Sequence, residues 1–445
     1  MEAIFYYICW TLTEYYPLKN KSIMKRLVKA ALALTLFLSA GISYVSNACT
    51  SIIVSGKATE DGRPIMWKNR DAGGQNMMYF FNKKDVKDAK YSFIGVVGSG
   101  ATKTPGSLWG GTNEKGLCIM NTMSYNVDIK PIVGKTSSGN GPIQKALLAN
   151  CATVDEVEAY LKNLPQPTGL TTNLGAIDAQ GNCAYFECYS YGFKKYDVND
   201  PAVAPDGYIV RSNYSISNMP VIAGHGQIRY MEAERQIRHA IADGKVNVDY
   251  FFNNIARSFC NPYLGVDLKS GNFNKPKTNG WYVDEDFITR YSSLSSMIFQ
   301  GVLPTEKPEL TTMWTIIGYP AATVCVPVWE KGGAEGIPAQ LAPNADRKST
   351  MANNAKTLRD QVYSFAIDTS DKRPTKYFNW EMLFNLQGTG IMQKCLAKEA
   401  EILPPYKAAL EGWRKANKVN TKQIIELNKV TDEALAAFYK EEFGL

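Results

Sequence analysis

Cys49 opens the run Cys49-Thr50-Ser51-Ile52-Ile53-Val54, and what precedes it reads as a leader. Met24-Lys25-Arg26 and Lys29 make a basic start, Ala30 to Ile42 an apolar stretch, and Ser46-Asn47-Ala48 a small-residue cleavage site. A cut after Ala48 makes Cys49 the first residue of the mature chain. A cysteine there brings its own base. Its free α-amine, with an ordinary pKa of about 7.7–8.0, can take the thiol proton directly or through one water. The β-branched residues behind Cys49 predict a strand, which would hold the nucleophile on a rigid element. A turn at Asp61-Gly62 leads to a second strand from Pro64 to Lys68, ending in the charged cluster Lys68-Asn69-Arg70-Asp71. The only two histidines are His225, in a glycine-flanked loop, and His239, in a charged helical run. So few histidines favour a mechanism in which the α-amine is the base.

The elements that must position these groups sit in a chain of 445 residues, 45% hydrophobic and 20% charged, the composition of a globular protein. Removing 48 residues leaves enough for one large domain or two ordinary ones. Residues 1–23 form an aromatic-rich extension, and Met24 is the expected initiator. The formal charge of +7 falls to about +4 on processing, because residues 1–48 hold five basic and two acidic groups. That is too weak and dispersed for nucleic-acid binding. No apolar run of about 20 residues follows the leader, so no membrane span is expected. Of nine cysteines, seven remain after Cys9 is lost and Cys49 is set aside. With an odd number and no CxxC spacing, they read as buried free thiols; no metal and no cofactor is indicated.

From Cys49 to about Glu187 the pattern is strand-rich. Asn113-Glu114-Lys115-Gly116 turns one apolar strand into another ending near Asn121. Ile143 to Leu161 is helical, with a fresh N-cap at Thr153 or Asp155. Thr172 to Glu187 makes two strands, along which Cys183 and Cys188 should face opposite sides. Tyr208 to Asn213 is a strand, Tyr230 to Ala242 a helix. Thr311 to Ile317 and Thr323 to Val328 read as strands closing a second sheet, Gly332 to Ser349 as a long loop, and everything from Trp380 onward as amphipathic helix.

Cys49-Thr50-Ser51-Ile52 and Lys68-Asn69-Arg70-Asp71 together resemble the N-terminal-nucleophile hydrolases of linear amide bonds. These include choloylglycine hydrolases, penicillin V acylases, acid ceramidase, acyl-CoA:6-aminopenicillanic acid acyltransferases and cysteine dipeptidases. In that group the new N-terminus reads Cys-Thr-x-Ile or close to it, and the second strand ends as Arg-Asn-x-Asp. Here lysine stands at the arginine position and Arg70 lies two residues on, so either Lys68 or Arg70 could be the cation of the site. Gly56-Lys57-Ala58-Thr59 with Asp61-Gly62 looks like the dipeptidase branch. Motif-level likeness covers residues 49–240.

The resemblance implies an α+β fold, a four-layer αββα sandwich of two mainly antiparallel sheets flanked by helices. It spans residues 49–390, with a C-terminal helical segment, 391–445, packed on it. It also implies roles. Asp71 would fix the protonated α-amine of Cys49; Arg229, with Lys68 or Arg70, would favour the thiolate; Asn121 and Asn213 would bind the oxyanion. The expected activity is hydrolysis of a small-molecule amide or short peptide through an acyl-enzyme, in the periplasm or outside the cell. Acyl transfer to a second amine is the alternative, and a homo-oligomer is compatible with the helical tail. The competing class is a lipoprotein acylated and anchored through Cys49. Ser46 in place of the usual leucine, and the lack of a flexible linker after Cys49, count against it.

Overall fold

A computed structural model describes residues 48–100, 104–127, 134–217, 224–270, 280–284, 286–366 and 375–445. The extension 1–23 and the leader up to residue 47 lie outside the described residues.

Two antiparallel sheets carry the architecture. The first has six strands in the order β10-β1-β2-β14-β15-β16: β1 (Cys49–Val54), β2 (Ile65–Asp71), β10 (Tyr208–Arg211), β14 (Ser293–Gln300), β15 (Thr312–Ile317) and β16 (Cys325–Val328). The second runs from β3 to β9 in chain order: β3 (Asn76–Phe81), β4 (Phe93–Gly98), β5 (Gly110–Asn113), β6 (Cys118–Met123), β7 (Thr172–Ile177), β8 (Cys183–Tyr189) and β9 (Gly192–Asp197). Two small sheets pair β11 (Cys260–Asn261) with β12 (Val266–Asp267), and β13 (Trp281–Val283) with β18 (Thr375–Asn379) and β17 (Tyr363–Ala366).

Helices close both outer faces. On the second sheet lie α1 (Asn140–Asn150) and α2 (Val154–Lys162), the latter capped by Thr153, whose hydroxyl accepts from the Glu156 N–H. On the first lie α3 (Gln227–Ala242), the one-turn α4 (Val248–Tyr250) with a π-turn behind it, α5 (Thr350–Val362), α6 (Trp380–Leu383), α7 (Ile391–Ala416) and α8 (Thr421–Phe443). The result is the expected α+β sandwich of four layers.

β1 and β2 are buried along their whole length, because they are central strands with layers on both sides. Their register, Cys49 opposite Arg70, Ser51 opposite Lys68 and Ile53 opposite Met66, puts these six side chains on one face. That face meets the second sheet: a Cβ added at Gly175 of β7 would lie 3.1 Å from Ile53 Cδ1 and 3.3 Å from Met66 Sδ. Thr50, Trp67, Asn69 and Asp71 point to the helix side, where Trp67 packs against Phe251. One apolar core fills the space between the sheets and continues under the helices of the first sheet, and the second sheet with α1 and α2 holds another. Cys183 joins the first core and Cys188 the second, as their five-residue spacing requires.

One expectation is corrected. Thr312–Ile317 and Cys325–Val328 extend the sheet that contains β1, not the second one, because an apolar run specifies a buried strand without specifying its neighbour. The helical tail is fastened there too. Buried Arg257 makes a two-pronged ion pair with Glu399 of α7, at 3.0 and 2.7 Å, and donates to the carbonyls of Phe252, Pro320 and Thr323. All eight described cysteines are free and buried.

Candidate active site

Cys49 is 6% exposed at the first position of β1, still joined to the buried Ala48. Its backbone N–H donates to Asn213 Oδ1 at 2.8 Å. Asn213 follows β10 and is fully buried; its Nδ2 donates to the Met123 carbonyl at 2.7 Å. A guanidinium brackets the same group. Arg229 donates from Nη1 to the Cys49 carbonyl at 2.6 Å and to Thr50 Oγ1 at 2.8 Å, and from Nη2 to Asn213 Oδ1 at 2.9 Å.

The helix that carries Arg229 begins with Gly226, in the left-handed region at φ 85°. A Cβ there would come within 2.2 Å of Arg229 Nη2, so only glycine leaves room for the guanidinium. His225 is exposed and meets the ring of Tyr125 edge-on at 5.0 Å. Tyr125 is itself held up at about 12, first by burial and then by the negative charge that Cys49 can carry.

Asp71 does not reach the nitrogen of Cys49 as expected. Its backbone N–H donates to the Ala48 carbonyl at 2.8 Å, while its carboxylate accepts from Arg290 Nε at 2.8 Å and Ser293 Oγ at 2.6 Å. Its side chain lies on the helix side of β2, away from the cysteine's face. Arg290 in turn donates from Nη1 to Asp286 Oδ1 at 2.6 Å, the atom that accepts from Arg229 Nε at 2.8 Å. Asp71, Arg290, Asp286 and Arg229 therefore form one chain of alternating charge beside Cys49. The sequence reading missed Asp286, Arg290 and Ser293. The only sign of them is the pair Asp286 and Arg290, four residues apart in a stretch with no helical periodicity.

Both candidate cations of β2 lie on the cysteine's face. Lys68 Nζ crosses to the second sheet and donates to the Trp109 carbonyl and to Asn121 Oδ1, each at 2.9 Å. Burial brings Lys68 down to about 8, with the charge of Arg70 adding to the shift; negative charge on Cys49 pulls it back up. Arg70 stacks over the Trp109 ring at 4.6 Å and donates to Asn76 Oδ1 at 3.3 Å. Burial lowers it to about 10, and Cys49 opposes that shift as well. Two cations buried on one strand cost desolvation energy that a thiolate between the sheets would offset.

The two expected oxyanion asparagines are placed differently from the expectation. Asn121 Oδ1 accepts from Lys68 and from Gln144 Nε2 at 3.0 Å, and its Nδ2 donates to Thr172 Oγ1 at 2.9 Å, so it braces Lys68. Asn213 receives the Cys49 N–H on its carbonyl oxygen instead of aiming its amide at the space by the thiol. Backbone register brings both asparagines near Cys49, but their hydrogen bonds point elsewhere.

Among the described residues no cluster of side chains could hold a metal ion, and no helix is long and apolar enough to cross a membrane.

Residues 58–230 match the family of acyl-coenzyme A:6-aminopenicillanic acid acyl-transferases; the match begins nine residues after Cys49. A comparison with curated proteins finds no match. Among solved structures, the chain is similar to a conjugated bile acid hydrolase from Clostridium perfringens at 15% identity, over 63% of this chain and 92% of that one, with a TM-score of 0.38. It is also similar to the penicillin V acylase of Agrobacterium tumefaciens (13% identity, 63% and 85% covered, TM-score 0.36). A third is a Caenorhabditis elegans ortholog of N-acylethanolamine-hydrolyzing acid amidase (12% identity, 58% and 94% covered, TM-score 0.33). Two packed antiparallel sheets and the match over residues 58–230 make this part of the chain similar to the acyl-coenzyme A:6-aminopenicillanic acid acyl-transferases.

Proposed function

We propose that the chain is exported, cut after Ala48, and then hydrolyses a small linear amide or short peptide with Cys49 as nucleophile. The observation that carries this reading is the grip on Cys49. Its nitrogen and carbonyl are held by Asn213 and Arg229, while its side chain shares a face with two buried cations.

In this reading the thiolate attacks the substrate carbonyl, and the α-amine takes the thiol proton and later returns it to the leaving amine. Lys68 and Arg70 offset the negative charge, first on sulfur and then on the oxyanion; one well-placed donor there is worth about 3–4 kcal/mol. Asn213 and Arg229 fix the position of the new N-terminus, and Asp71 acts on it through Arg290 and Asp286. Water then releases the acyl group. The family match favours a second reading, in which an amine takes the acyl group in place of water. The division of the chain follows: 24–48 as leader, 49–390 as catalytic domain, 391–445 as a helical segment on it.

Anchoring through Cys49 fits less well. A residue 6% exposed between two sheets has no room beside it for acyl chains on sulfur. The test is the mass of the purified N-terminus, followed by a panel of bile-salt, penicillin, N-acyl amino acid and dipeptide amides. A bare Cys49, turnover of one class, and its loss in Cys49→Ser are the expected results. An acylated Cys49, or wild-type rates in the serine variant, would overturn the reading.

A further inference from the structure

The nitrogen of Cys49 does not have its acceptor to itself. Asn213 Oδ1 receives the Cys49 N–H at 2.8 Å and Arg229 Nη2 at 2.9 Å. A single amide oxygen divided between an arginine and an ammonium cannot stabilise both cations fully, so the arrangement favours an N-terminal amine in its neutral, proton-accepting form. How strongly it does so depends on how much of the guanidinium charge is cancelled elsewhere.

The carboxylate that cancels it is Asp286. Its Oδ1 takes the Arg229 Nε hydrogen bond at 2.8 Å and the Arg290 Nη1 hydrogen bond at 2.6 Å. The backbone of Asp286 is in the left-handed region at φ 51°, which is uncommon for a residue other than glycine. A side chain held on two arginines from such a backbone is over-determined by its surroundings. The other charged or titratable groups near Cys49 and Arg229 include Lys68, Arg70 and Asp71 on β2, Arg290 beside Asp71, Tyr125 after β6, Tyr214, and exposed His225, whose backbone pairs with that of Asn213. None of these accepts from Arg229.

We infer that Asp286 is a positioning residue that sets the residual charge of Arg229 and, through the shared Asn213 oxygen, the pH at which the freed amine of Cys49 becomes a base. The inference rests on the proposed use of Cys49 as an N-terminal nucleophile.

Two variants test it. Asp286→Asn keeps the shape and tolerates the left-handed backbone, but removes the charge. Asp286→Glu keeps the charge. The processed proteins are compared by the pH dependence of amide turnover and, without any substrate, by the pH dependence of Cys49 alkylation by iodoacetamide. With one carboxylate lost near the amine, its protonated form is disfavoured, and the acidic limb in Asp286→Asn should move to lower pH by about half a unit to one unit. In Asp286→Glu the limb should stay within a few tenths of the wild-type position, even if the rate falls. An unmoved limb in Asp286→Asn, or an equal shift in both variants, would overturn the assignment. The two readings fail differently. A free Cys49 with no amide turnover removes the hydrolase reading and leaves the alkylation profile to decide on Asp286, whereas a blocked Cys49 removes both.

Discussion

Arg229 holds the carbonyl oxygen of Cys49 at 2.6 Å, and the same guanidinium reaches Asp286 on its other side. Cys49 is thereby tied to acids contributed from far along the chain, and the catalytic predictions below follow from those ties and from the proposed role of Cys49.

Asp71→Asn weakens the Arg290 and Ser293 contacts of a buried carboxylate and removes a negative charge from the network. Because Asp71 acts on Cys49 only through Arg290 and Asp286, the expected fall in kcat/KM is about 10-fold, below the range for removing a positioned acid–base group itself. Stability should drop by about 1–3 kcal/mol, because a partly buried arginine loses one of its partners. Kinetics and melting measured on the same variant separate the two effects; a lowered Tm with an intact kcat/KM would leave Asp71 purely structural.

Burial lowers Lys68 to about 8, so one of the two cations facing Cys49 is lost above that pH while Arg70 stays charged. The alkaline limb of kcat/KM should therefore lie near 8. Lys68→Arg should push it upward by a unit or more, since the guanidinium stays charged. Lys68→Met should lack that limb and lose activity by about 10²-fold. A limb at the same pH in all three proteins would show that Lys68 does not set it. The sign for stability follows from the same shift. A lysine depressed in the fold contributes fully above the ordinary lysine range, and that contribution is lost as pH falls through about 8.

Asp284, beside the same loop, accepts from the Tyr291 N–H at 3.1 Å on one oxygen, and its other oxygen has no partner. Burial raises it to about 6 against the pull of Arg290 and Lys376. A carboxyl raised in the fold favours folding while it is protonated, so its contribution is lost as pH climbs from about 4 to about 6. Asp284→Asn, compared with wild type by Tm from pH 4 to 7, should gain on it steadily across that interval. A constant difference would sink the assignment.

Glu399→Ala strands Arg257, whose side chain is fully buried, and leaves the Cys325 N–H without its acceptor. The expected loss is about 3–5 kcal/mol, the cost of breaking a buried pair by removing one partner. Chemical denaturation measures it. A loss under about 1 kcal/mol would mean that α7 is not fastened through this pair.

The local parts of this design were readable in the sequence. Periodicity and turn residues located β1, β2 and the hairpin around Asn113-Glu114-Lys115-Gly116, and narrowed the cap to Thr153 or Asp155, of which Thr153 serves, because each of these is decided by near neighbours. Cys49, Lys68, Arg70, Asn213 and Arg229 came forward as candidates because the runs that hold them resemble a known family, and the fold gathers them around β1. What the sequence could not show is pairing at a distance. Asp71 meets Arg290 across 219 residues, and nothing in the residues flanking Arg290 announces that contact. The asparagines misled for a related reason: an amide side chain can donate or accept, and only its neighbours decide which. For Asn213 the decision lies with Arg229 and the Met123 carbonyl.

The position of β1 between β2 and β10 has a consequence for the order in which the molecule assembles. Asn213 lies 164 residues after Cys49 and Arg229 lies 180 after it, while Asp71 waits for Arg290. A chain synthesised from its N-terminus therefore presents Cys49 long before any partner of that cysteine's backbone exists. Contacts of such separation form slowly, since each must close a long loop first. Cys49 is thus the first part of the candidate site to be made and the last to be completed. A growing chain shorter than about 290 residues carries the Cys49 thiol without Asp286 and Arg290 beside it.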